Sequence, residues 1–245
     1  MNLKLTLKPI DSVTETERNL IFELLSQHYV DPTDLLEREY KKNDRVYLAW
    51  AGEQLAGLFM VGYHEGFPLI PYTTDIFLGI SGTDYRFKGK RIGKLLYLSH
   101  LLDAARYEQE NNKRVLHWYT TASPLVYRAI EQLYARVTPD GQGAFRSDAL
   151  PFLALIKDTY HYHGVPGKYP DYVLRSIAHN TRYRPEQGAY LADIYSRYDL
   201  PVLQGNAINE RAGDRILVLC ETPQTDRLHE LQQEWVKLVG QFGEA

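Results

Sequence analysis

The sequence predicts an α+β fold in which a central mixed, mostly antiparallel sheet is flanked by helices. Short runs rich in β-forming residues recur along the chain, and amphipathic helical stretches separate several of them. One long helical stretch lies between two strand-like runs, as expected for a crossover between parallel neighbours. The 245 residues are 44% apolar and 24% charged, a composition typical of a globular chain that excludes disordered and fibrous classes.

The first part of the chain predicts a strand, two helices and three further strands. Leu3 to Pro9 alternates apolar and polar residues, which is typical of a half-buried strand. Thr14 and Glu17 have capping-box spacing at the start of a first helix, and a second helix is expected over Asp34 to Lys41. Two β-rich runs separated by Ala51-Gly52-Glu53 predict an antiparallel hairpin. The run TTDIFLGIS then predicts a fourth strand.

The most regular helical stretch follows, from about Lys90 to Asn111. Arg114 to Thr120 predicts a fifth strand, and a helix is expected from about Ser123 to Arg136. Much later, the apolar run Arg215 to Glu221 (RILVLCE) predicts a buried last strand. An amphipathic terminal helix is expected over Gln224 to Phe242.

We expect a single domain over residues 1–245. Its core would comprise residues 1–137, followed by a large tyrosine-rich insert, residues 138–214, before the last strand, and by the final strand and helix, residues 215–245. Long inserts of this kind often form lids or pocket walls. The chain has 19 tyrosines, which suit the walls of a cleft, although plain packing is the alternative.

Charge and composition exclude several classes of function. A formal net charge of -3 argues against a nucleic-acid binder that neutralises many phosphates. No apolar run approaches the roughly 20 residues that span a bilayer, and the N-terminus lacks a signal-peptide core. We therefore expect a cytoplasmic protein with no membrane partner. Cys220 is the only cysteine, so neither an intrachain disulfide nor a cysteine-based metal site is expected.

Residues 87–96, FKGKRIGKLL, place two glycines and four cationic residues between a predicted strand and a predicted helix. Glycines let backbone amides approach a ligand, and a helix N-terminus favours negative charge. The run has neither the Gly-Lys-Ser/Thr ending of a Walker loop nor the three glycines of a dinucleotide fingerprint. It therefore predicts a pyrophosphate cradle of another kind, formed by backbone amides from Lys88 to Lys94. A basic, solvated helix start is the alternative.

With Arg86 included, RFKGKRIGKLL resembles the acyl-coenzyme A motif of the GNAT superfamily of N-acetyltransferases, Arg/Gln-x-x-Gly-x-Gly/Ala. Arg86 takes the first position and Gly89 the first glycine, and Ile92-Gly93 form the usual continuation. Arg91 stands where the motif has glycine or alanine. Because only a positive φ or a very close contact would require glycine, we expect Arg91 to offer its backbone amide all the same. The order of elements from Leu3 to about Val137 is also similar to that of the superfamily.

The resemblance implies a GNAT-like fold and an acyl-CoA-dependent N-acyltransferase. The acyl group, most often acetyl, would pass from acetyl-CoA or another acyl-CoA to a small-molecule or protein amine by direct attack in a ternary complex, without a metal. The implied cofactor-binding residues are Ile80, Ser81, Gly82 and Thr83 for the pantetheine arm, and Arg86, Lys88, Gly89, Lys90, Arg91, Ile92, Gly93 and Lys94 for the pyrophosphate. Gly79 and Gly82 suggest close approach of a ligand or another backbone, with a bulge and a plain turn as alternatives.

The resemblance also implies the catalytic residues. Tyr127, in TTASPLVYRAI, matches the tyrosine that serves the superfamily as the acid for the CoA thiolate. Tyr134 is the second choice, and a packing role for Tyr127 is the alternative. Asp75 on the fourth strand is the candidate base, with His64 and Glu65 as alternatives.

Two other functions stay open at this point. Arg91 replaces a motif glycine, and the tyrosine motif lacks its Asn and Ala, so a degenerate acyl-CoA sensor or scaffold is one alternative. Acyl transfer from a carrier protein is another, with the basic residues Lys88, Lys90, Arg91 and Lys94 as the docking patch. The sequence identifies no acceptor, and it leaves both a monomer and a homodimer open.

Overall fold

The computed structural model describes residues 2–66, 71–162, 169–178 and 183–243. The strands are β1 (Leu3–Pro9), β2 (Arg45–Ala51), β3 (Gln54–Glu65), β4 (Thr74–Thr83), β5 (Val115–Thr121), β6 (Ala135–Thr138), β7 (Val173–Leu174) and β8 (Arg215–Glu221). The helices are α1 (Glu15–Ser26), α2 (Thr33–Lys42), α3 (Ile92–Asn111), α4 (Pro124–Leu133), α5 (Leu150–Thr159), α6 (Pro185–Arg197), α7 (Pro201–Gln204) and α8 (Thr225–Gly243).

The strands form one sheet in the order β1-β2-β3-β4-β5-β8-β6, and β7 also pairs with β8. The β4–β5 pair is parallel, whereas the other described pairs are antiparallel. The predicted fold class, a mixed and mostly antiparallel sheet with flanking helices, is therefore confirmed.

Local sequence signals account for the first elements. The Thr14 side chain accepts a hydrogen bond from the Glu17 backbone, and the Glu17 carboxylate accepts one from the Thr14 backbone. The predicted capping box is therefore present at the N-terminus of α1. The β2–β3 hairpin turns at Gly52, whose φ of 62° favours glycine. Ala51 pairs with Gln54 across this turn. The predicted hairpin is therefore confirmed.

Hydrophobic side chains cover both faces of the sheet. Alternate residues of β2 face opposite sides: Val46 and Leu48 pack with α1 and α2, whereas Tyr47 and Ala49 pack with α3 and the C-terminal part of the chain. Helix α3 is thus the crossover that carries the chain over one face from β4 to its parallel neighbour β5.

Strands β4 and β5 separate after a short stretch of pairing. They pair only from Thr74 to Phe77 and from Val115 to Trp118. Beyond Phe77, the register of β3 with β4 shifts, so that Gly79 and Ile80 together lie opposite Met60 in a bulge. The two strands therefore leave a cleft between their carboxyl ends.

The largest differences from the predicted elements follow α4. This helix ends at Leu133 instead of Arg136, because Ala135 pairs with Glu221 and the chain joins the sheet as β6. The insert also contains β7 and α6, which the sequence pattern did not predict. Within the described ranges, no helix is both long and apolar enough to cross a membrane.

Candidate functional site

Two adjoining cavities occupy the cleft between β4 and β5. The first, of about 220 Å³, extends under α2, and the second, of about 310 Å³, extends toward the start of α3. The residues that line both are Tyr29, Ser81, Tyr97, Ser123, Val126 and Tyr183. The shared residues define the junction between the two cavities.

The second cavity contains half of the predicted cofactor-binding residues. Its lining includes Ser81, Gly82, Thr83, Lys88, Gly93 and Lys94, and Ile80 lines the first cavity. Arg86, Gly89, Lys90, Arg91 and Ile92 are not among the lining residues of either cavity. Ile92 is a core residue with 1% exposure, so its predicted role can involve only its backbone.

The turn between β4 and α3 has two residues in the left-handed region. Gly89 has φ 78°, and Arg91, at the N-terminus of α3, has φ 59° and ψ 21°. A positive φ is one of the two conditions under which this position would favour glycine, and Arg91 meets it. The glycine or alanine of the motif corresponds here to a strained arginine.

The backbone amides of this turn divide into two groups. The Lys88 and Lys90 N–H groups donate to the carbonyls of Tyr85 and Phe87, 3.1 and 3.0 Å away, so these two amides of the predicted cradle are already occupied. The first backbone bond of α3 runs from Leu95 to Arg91. Within the described chain, the N–H groups of Ile92, Gly93 and Lys94 donate to no backbone acceptor. These three amides form the open end of the helix.

Asp84 anchors the turn. Its carboxylate accepts two bonds from the Arg86 guanidinium, 2.9 and 2.7 Å long, and one from Gln27 at the end of α1, 2.8 Å long. These hydrogen bonds, the Arg86 pair first, lower the pKa of Asp84 to about 2. The Arg86 side chain thus holds the turn together, which is a different role from the predicted contact with phosphate.

Replacing Arg91 with glycine should stabilise the protein. Glycine adopts φ 59° without the clash that an L side chain suffers, and its greater freedom in the unfolded chain offsets part of that gain. We expect about 0.5 kcal/mol of added stability from Arg91→Gly, measured by urea unfolding. Lys90→Gly is the matched control and should destabilise, because Lys90 does not have a positive φ. Equal losses in both variants would contradict strain at Arg91.

The structure places Tyr127 away from both cavities. The side chain has no exposed surface, and its hydroxyl donates to the Pro139 carbonyl, 2.8 Å away. Burial, before the nearby Glu131 and Asp140 charges, raises its pKa. The residues of α4 that line the first cavity are Val126 and Ile130, neither of which can donate a proton. This geometry favours the packing role for Tyr127 over the predicted acid.

The second-choice acid, Tyr134, is also buried and lines neither cavity. Its ring lies edge-on to His117, with 4.9 Å between centroids. It belongs to the core beneath β5 and β8.

Asp75, the predicted base, lies beside the site without lining it. Its Oδ2 atom accepts from the indole of Trp118 at 2.7 Å and lies 2.9 Å from Nδ1 of His64. Burial alone would lower the pKa of His64, but the hydrogen bond and charge of Asp75 outweigh it and raise that pKa. Glu65 binds Tyr107 and Lys113 at the far end of β3. The structure therefore brings none of the three candidate bases into the cleft.

Glu39 is the carboxylate that does line the first cavity. Its Oε2 atom accepts from the backbone N–H of Ile80, 2.9 Å away in the β4 bulge, and from Asn43, 3.0 Å away. Burial raises the pKa of Glu39, against smaller lowering effects of the Lys42 charge and the Ile80 amide. A buried carboxylate of raised pKa is well suited to accept a proton near neutral pH.

Gly79 makes this position of Glu39 possible. A Cβ atom at Gly79 would lie 2.7 Å from the Glu39 carboxylate and 2.5 Å from the Asn43 amide oxygen. The predicted alternatives of a close approach and a bulge are both found at Gly79, although the approaching groups are side chains of α2. At Gly82, a Cβ would lie 2.8 Å from Leu24, so close approach holds there too.

The junction contains a short hydrogen bond between two hydroxyls. Tyr97, on α3, lies 2.6 Å from the Ser81 hydroxyl on β4. Burial raises the pKa of Tyr97 to about 12, although the bond to Ser81 lowers it. Tyr97 is thus the proton-bearing side chain of α3 at the point where the cavities meet.

The insert closes the outer side of the cleft. Tyr183 stacks on Tyr29, with ring centroids 4.9 Å apart, and the Arg184 backbone donates to His28 at 2.8 Å. Farther along, Tyr190 on α6 lies under the Lys88 ammonium, 3.5 Å from its ring centroid. The insert therefore contributes to the walls of both cavities, as the long tyrosine-rich stretch predicts.

The cleft between the parted strands β4 and β5 thus has the open start of α3 at one end and the buried carboxylate of Glu39 at the other. Several solved structures are similar to this chain. The chain is similar to an IAA acetyltransferase from Bacillus cereus, at 12% identity over 90% of this chain and 99% of that one, with a TM-score of 0.43.

The chain is also similar to a putative acetyltransferase of the GNAT family from Desulfovibrio desulfuricans, at 11% identity over 90% and 100% of the two chains, with a TM-score of 0.41. A Bacillus subtilis acetyltransferase in complex with CoA is 15% identical over 90% and 99%, with a TM-score of 0.40. No family model matches the chain, and no curated protein matches it.

Within the described residues, no group of three or more histidine, cysteine, aspartate or glutamate side chains is arranged to hold a metal ion.

Proposed function

We propose that this protein is an acyl-CoA-dependent N-acyltransferase that transfers an acetyl group from acetyl-CoA to an amine. The observation that carries the proposal is the junction of two cavities at Ser81 and Tyr97. One cavity leads to the open amides of α3, and the other ends on the buried carboxylate of Glu39. The two substrates of a direct transfer need this side-by-side placement.

The second cavity would hold the cofactor. The pyrophosphate would accept from the N–H groups of Ile92, Gly93 and Lys94 at the positive end of α3. The pantetheine arm would follow Ser81 to Thr83 along β4. Pairing between β4 and β5 ends at Phe77, so the edge of β4 that faces β5 is unpaired at these residues. The thioester would then lie at the junction.

In the proposed reaction, Glu39 takes one proton from the acceptor ammonium group and later passes it to solvent. The neutral amine nitrogen attacks the thioester carbonyl carbon and gives its second proton to solvent. A C–N bond forms and the C–S bond breaks. Tyr97, bonded to Ser81, gives its proton to the departing sulfur and regains one from solvent. The products are an amide and free CoA, and no acyl group is attached to the protein.

Cofactor binding can be tested by exchanging Gly89 for a pair of isosteric residues. Asparagine and aspartate both tolerate a positive φ, but only aspartate brings a negative charge next to the pyrophosphate. We expect Gly89→Asp to bind acetyl-CoA at least tenfold more weakly than Gly89→Asn, measured by titration calorimetry. Equal affinities for the two variants would contradict the cradle.

Activity can be tested by following release of the CoA thiol in the presence of a broad panel of amines. Turnover with at least one amine supports the enzyme. If acetyl-CoA binds tightly and raises the melting temperature, but no amine is acetylated, the protein is an acyl-CoA sensor and the proposed activity is wrong.

A further inference from the structure

The first cavity, where the proposed function places the acceptor, is rich in positive charge. Its described lining carries three cationic side chains, Arg38, Lys42 and Arg215, and a single carboxylate, Glu39. Arg215 is paired with Glu210, which lies outside the lining. If Glu39 is engaged by the acceptor amine, Lys42 keeps no carboxylate of the lining as a counter-charge, and an ammonium without one in a half-buried cavity favours a ligand that supplies an anion.

Lys42 is the clearest of these cations. Its ammonium donates to the Tyr162 hydroxyl at 3.0 Å and lies between 5.4 and 5.7 Å from the ring centroids of Phe77, Tyr160 and Tyr162. Within the described chain, no carboxylate lies within ion-pair distance of it. The rings hold the ammonium in place without neutralising it.

Arg215, on β8, adds a second, buried cation to the lining. The residue is 7% exposed, and its guanidinium donates to the Asp214 carbonyl at 2.7 Å. Its ion-pair partner is Glu210, at a long 3.5 Å. This pairing leaves Arg215 with donors that can turn to an anion in the cavity.

The positions of these groups along the cleft give the acceptor an orientation. Ser81 and Tyr97 line both cavities and mark the reacting end, whereas Lys42 and Phe77 line only the first cavity and lie at its far end. Glu39 lies between them, at the Gly79–Ile80 bulge. Aromatic rings, among them Phe59 and Tyr97, line the wall along the way.

We infer that the acceptor is a small primary amine that also carries a carboxylate on a flat, apolar body. Its amine end lies at Glu39 beside the junction, and its carboxylate end is bound by Lys42. The Tyr29–Tyr183 contact covers this cavity, and a volume of about 220 Å³ suits a small molecule. This inference rests on the proposed N-acyltransferase function.

The test compares acceptors that differ only in the carboxylate. 4-(Aminomethyl)benzoate and 3-(aminomethyl)benzoate are each paired with benzylamine in the thiol-release assay with the full chain. We expect kcat/KM of at least one carboxylate probe to exceed that of its neutral partner at least tenfold. Lys42→Met should reduce this preference to within about twofold. The preference is a ratio of two kcat/KM values for the same variant, so an effect of the substitution on Glu39 itself cancels. Lys41→Met, the exposed neighbour, is the control and should change nothing.

A binding measurement accompanies the assay. With CoA already bound, the preferred carboxylate probe should raise the melting temperature of the wild type and of Lys41→Met, but not of Lys42→Met. The inference would be overturned if the kcat/KM of the neutral amine equalled that of its carboxylate partner, or if Lys42→Met kept the preference for the carboxylate. Either result would leave the acyltransferase function in place. If other amines are acetylated but no carboxylate probe reacts or binds, the inference is also wrong. Failure of acetyl-CoA to bind would overturn the proposed function itself.

Discussion

Glu39→Gln should lower kcat for acetyl transfer by about two to four orders of magnitude at neutral pH, because a general base contributes on that scale. Glutamine keeps an oxygen that can accept from Ile80 and Asn43, the two donors that Glu39 now bonds. Burial already raises the pKa of Glu39 and so disfavours its charge. We therefore expect the neutral variant to fold and to bind acetyl-CoA with unchanged affinity.

The pH profile separates this role from a structural one. Because the base must be ionised, wild-type kcat should rise with pH through the raised pKa of Glu39 and then level off. In Glu39→Gln that limb should disappear, and part of the lost rate should return only at high pH, where the acceptor amine loses its proton unaided. Glu37→Gln, an exposed change on the same helix, is the matched control. A Glu39→Gln enzyme with more than a third of wild-type kcat and the same pH profile would refute the assignment.

Glu39 also shows what the sequence pattern could have revealed. It follows Leu35 and Leu36 on the buried stripe of α2, and a carboxylate on an apolar helix face is an unusual placement. Its function, however, depends on the bulge at Gly79 and Ile80, which belongs to a strand about forty positions later. That contact is non-local, so the α2 sequence alone could not predict it.

The elements themselves were largely predictable because their signals are local. Alternation, capping and helical periodicity located β1 to β5, α1 to α4 and β8. The separation of β4 from β5 depends on pairing between segments that are distant in sequence, so no local sequence pattern predicts it. The φ of 59° at Arg91 is equally hidden, since the residue type argues against it and only the surrounding turn imposes it.

The position of the predicted acid, Tyr127, outside both cavities has a different cause. The resemblance selected Tyr127 by residue type. The face of α4 that lines the first cavity carries Val126 and Ile130, which lie four residues apart and therefore on the same side of the helix. Tyr127 lies at the edge of this stripe, and its hydroxyl turns to Pro139. The proposed acid, Tyr97, was not among the sequence predictions because it lies on the apolar face of α3, where a tyrosine is indistinguishable in sequence from a core residue.

The protein should lose stability steeply in mild acid, because two histidines are buried without charge. His100 on α3 and His117 on β5 have no exposed surface, and their ring centroids lie 5.7 Å apart. In the described part of the chain neither ring nitrogen of His100 has a hydrogen-bond partner. Nε2 of His117 lies 3.1 Å from the Thr222 hydroxyl. Burial lowers the pKa of His117 to about 3 and places that of His100 well below its ordinary value.

The sign follows from which state binds the proton. Above pH 6.5 both imidazoles are neutral whether the chain is folded or unfolded, and the pH has no effect through them. Below pH 6.5 the two histidines take up protons in the unfolded chain but stay neutral in the folded core. The free energy of unfolding therefore falls until the pH reaches the pKa of the folded state. For His117 alone, the loss between pH 7 and pH 4.5 is about 2.5 kcal/mol. That is a large part of the 5–15 kcal/mol typical of a folded domain.

The measurement is the free energy of urea unfolding as a function of pH, for the wild type and for variants that cannot titrate. His117→Gln and His100→Leu should each flatten the decline between pH 6.5 and 4.5. His100→Leu should cost little at pH 7, because it removes a buried polar ring that lacks partners. His229→Gln, on the exposed side of α8, should leave the slope as it is. A wild-type stability that stays constant down to pH 4.5 would show that the two rings are accessible to protons in the folded state.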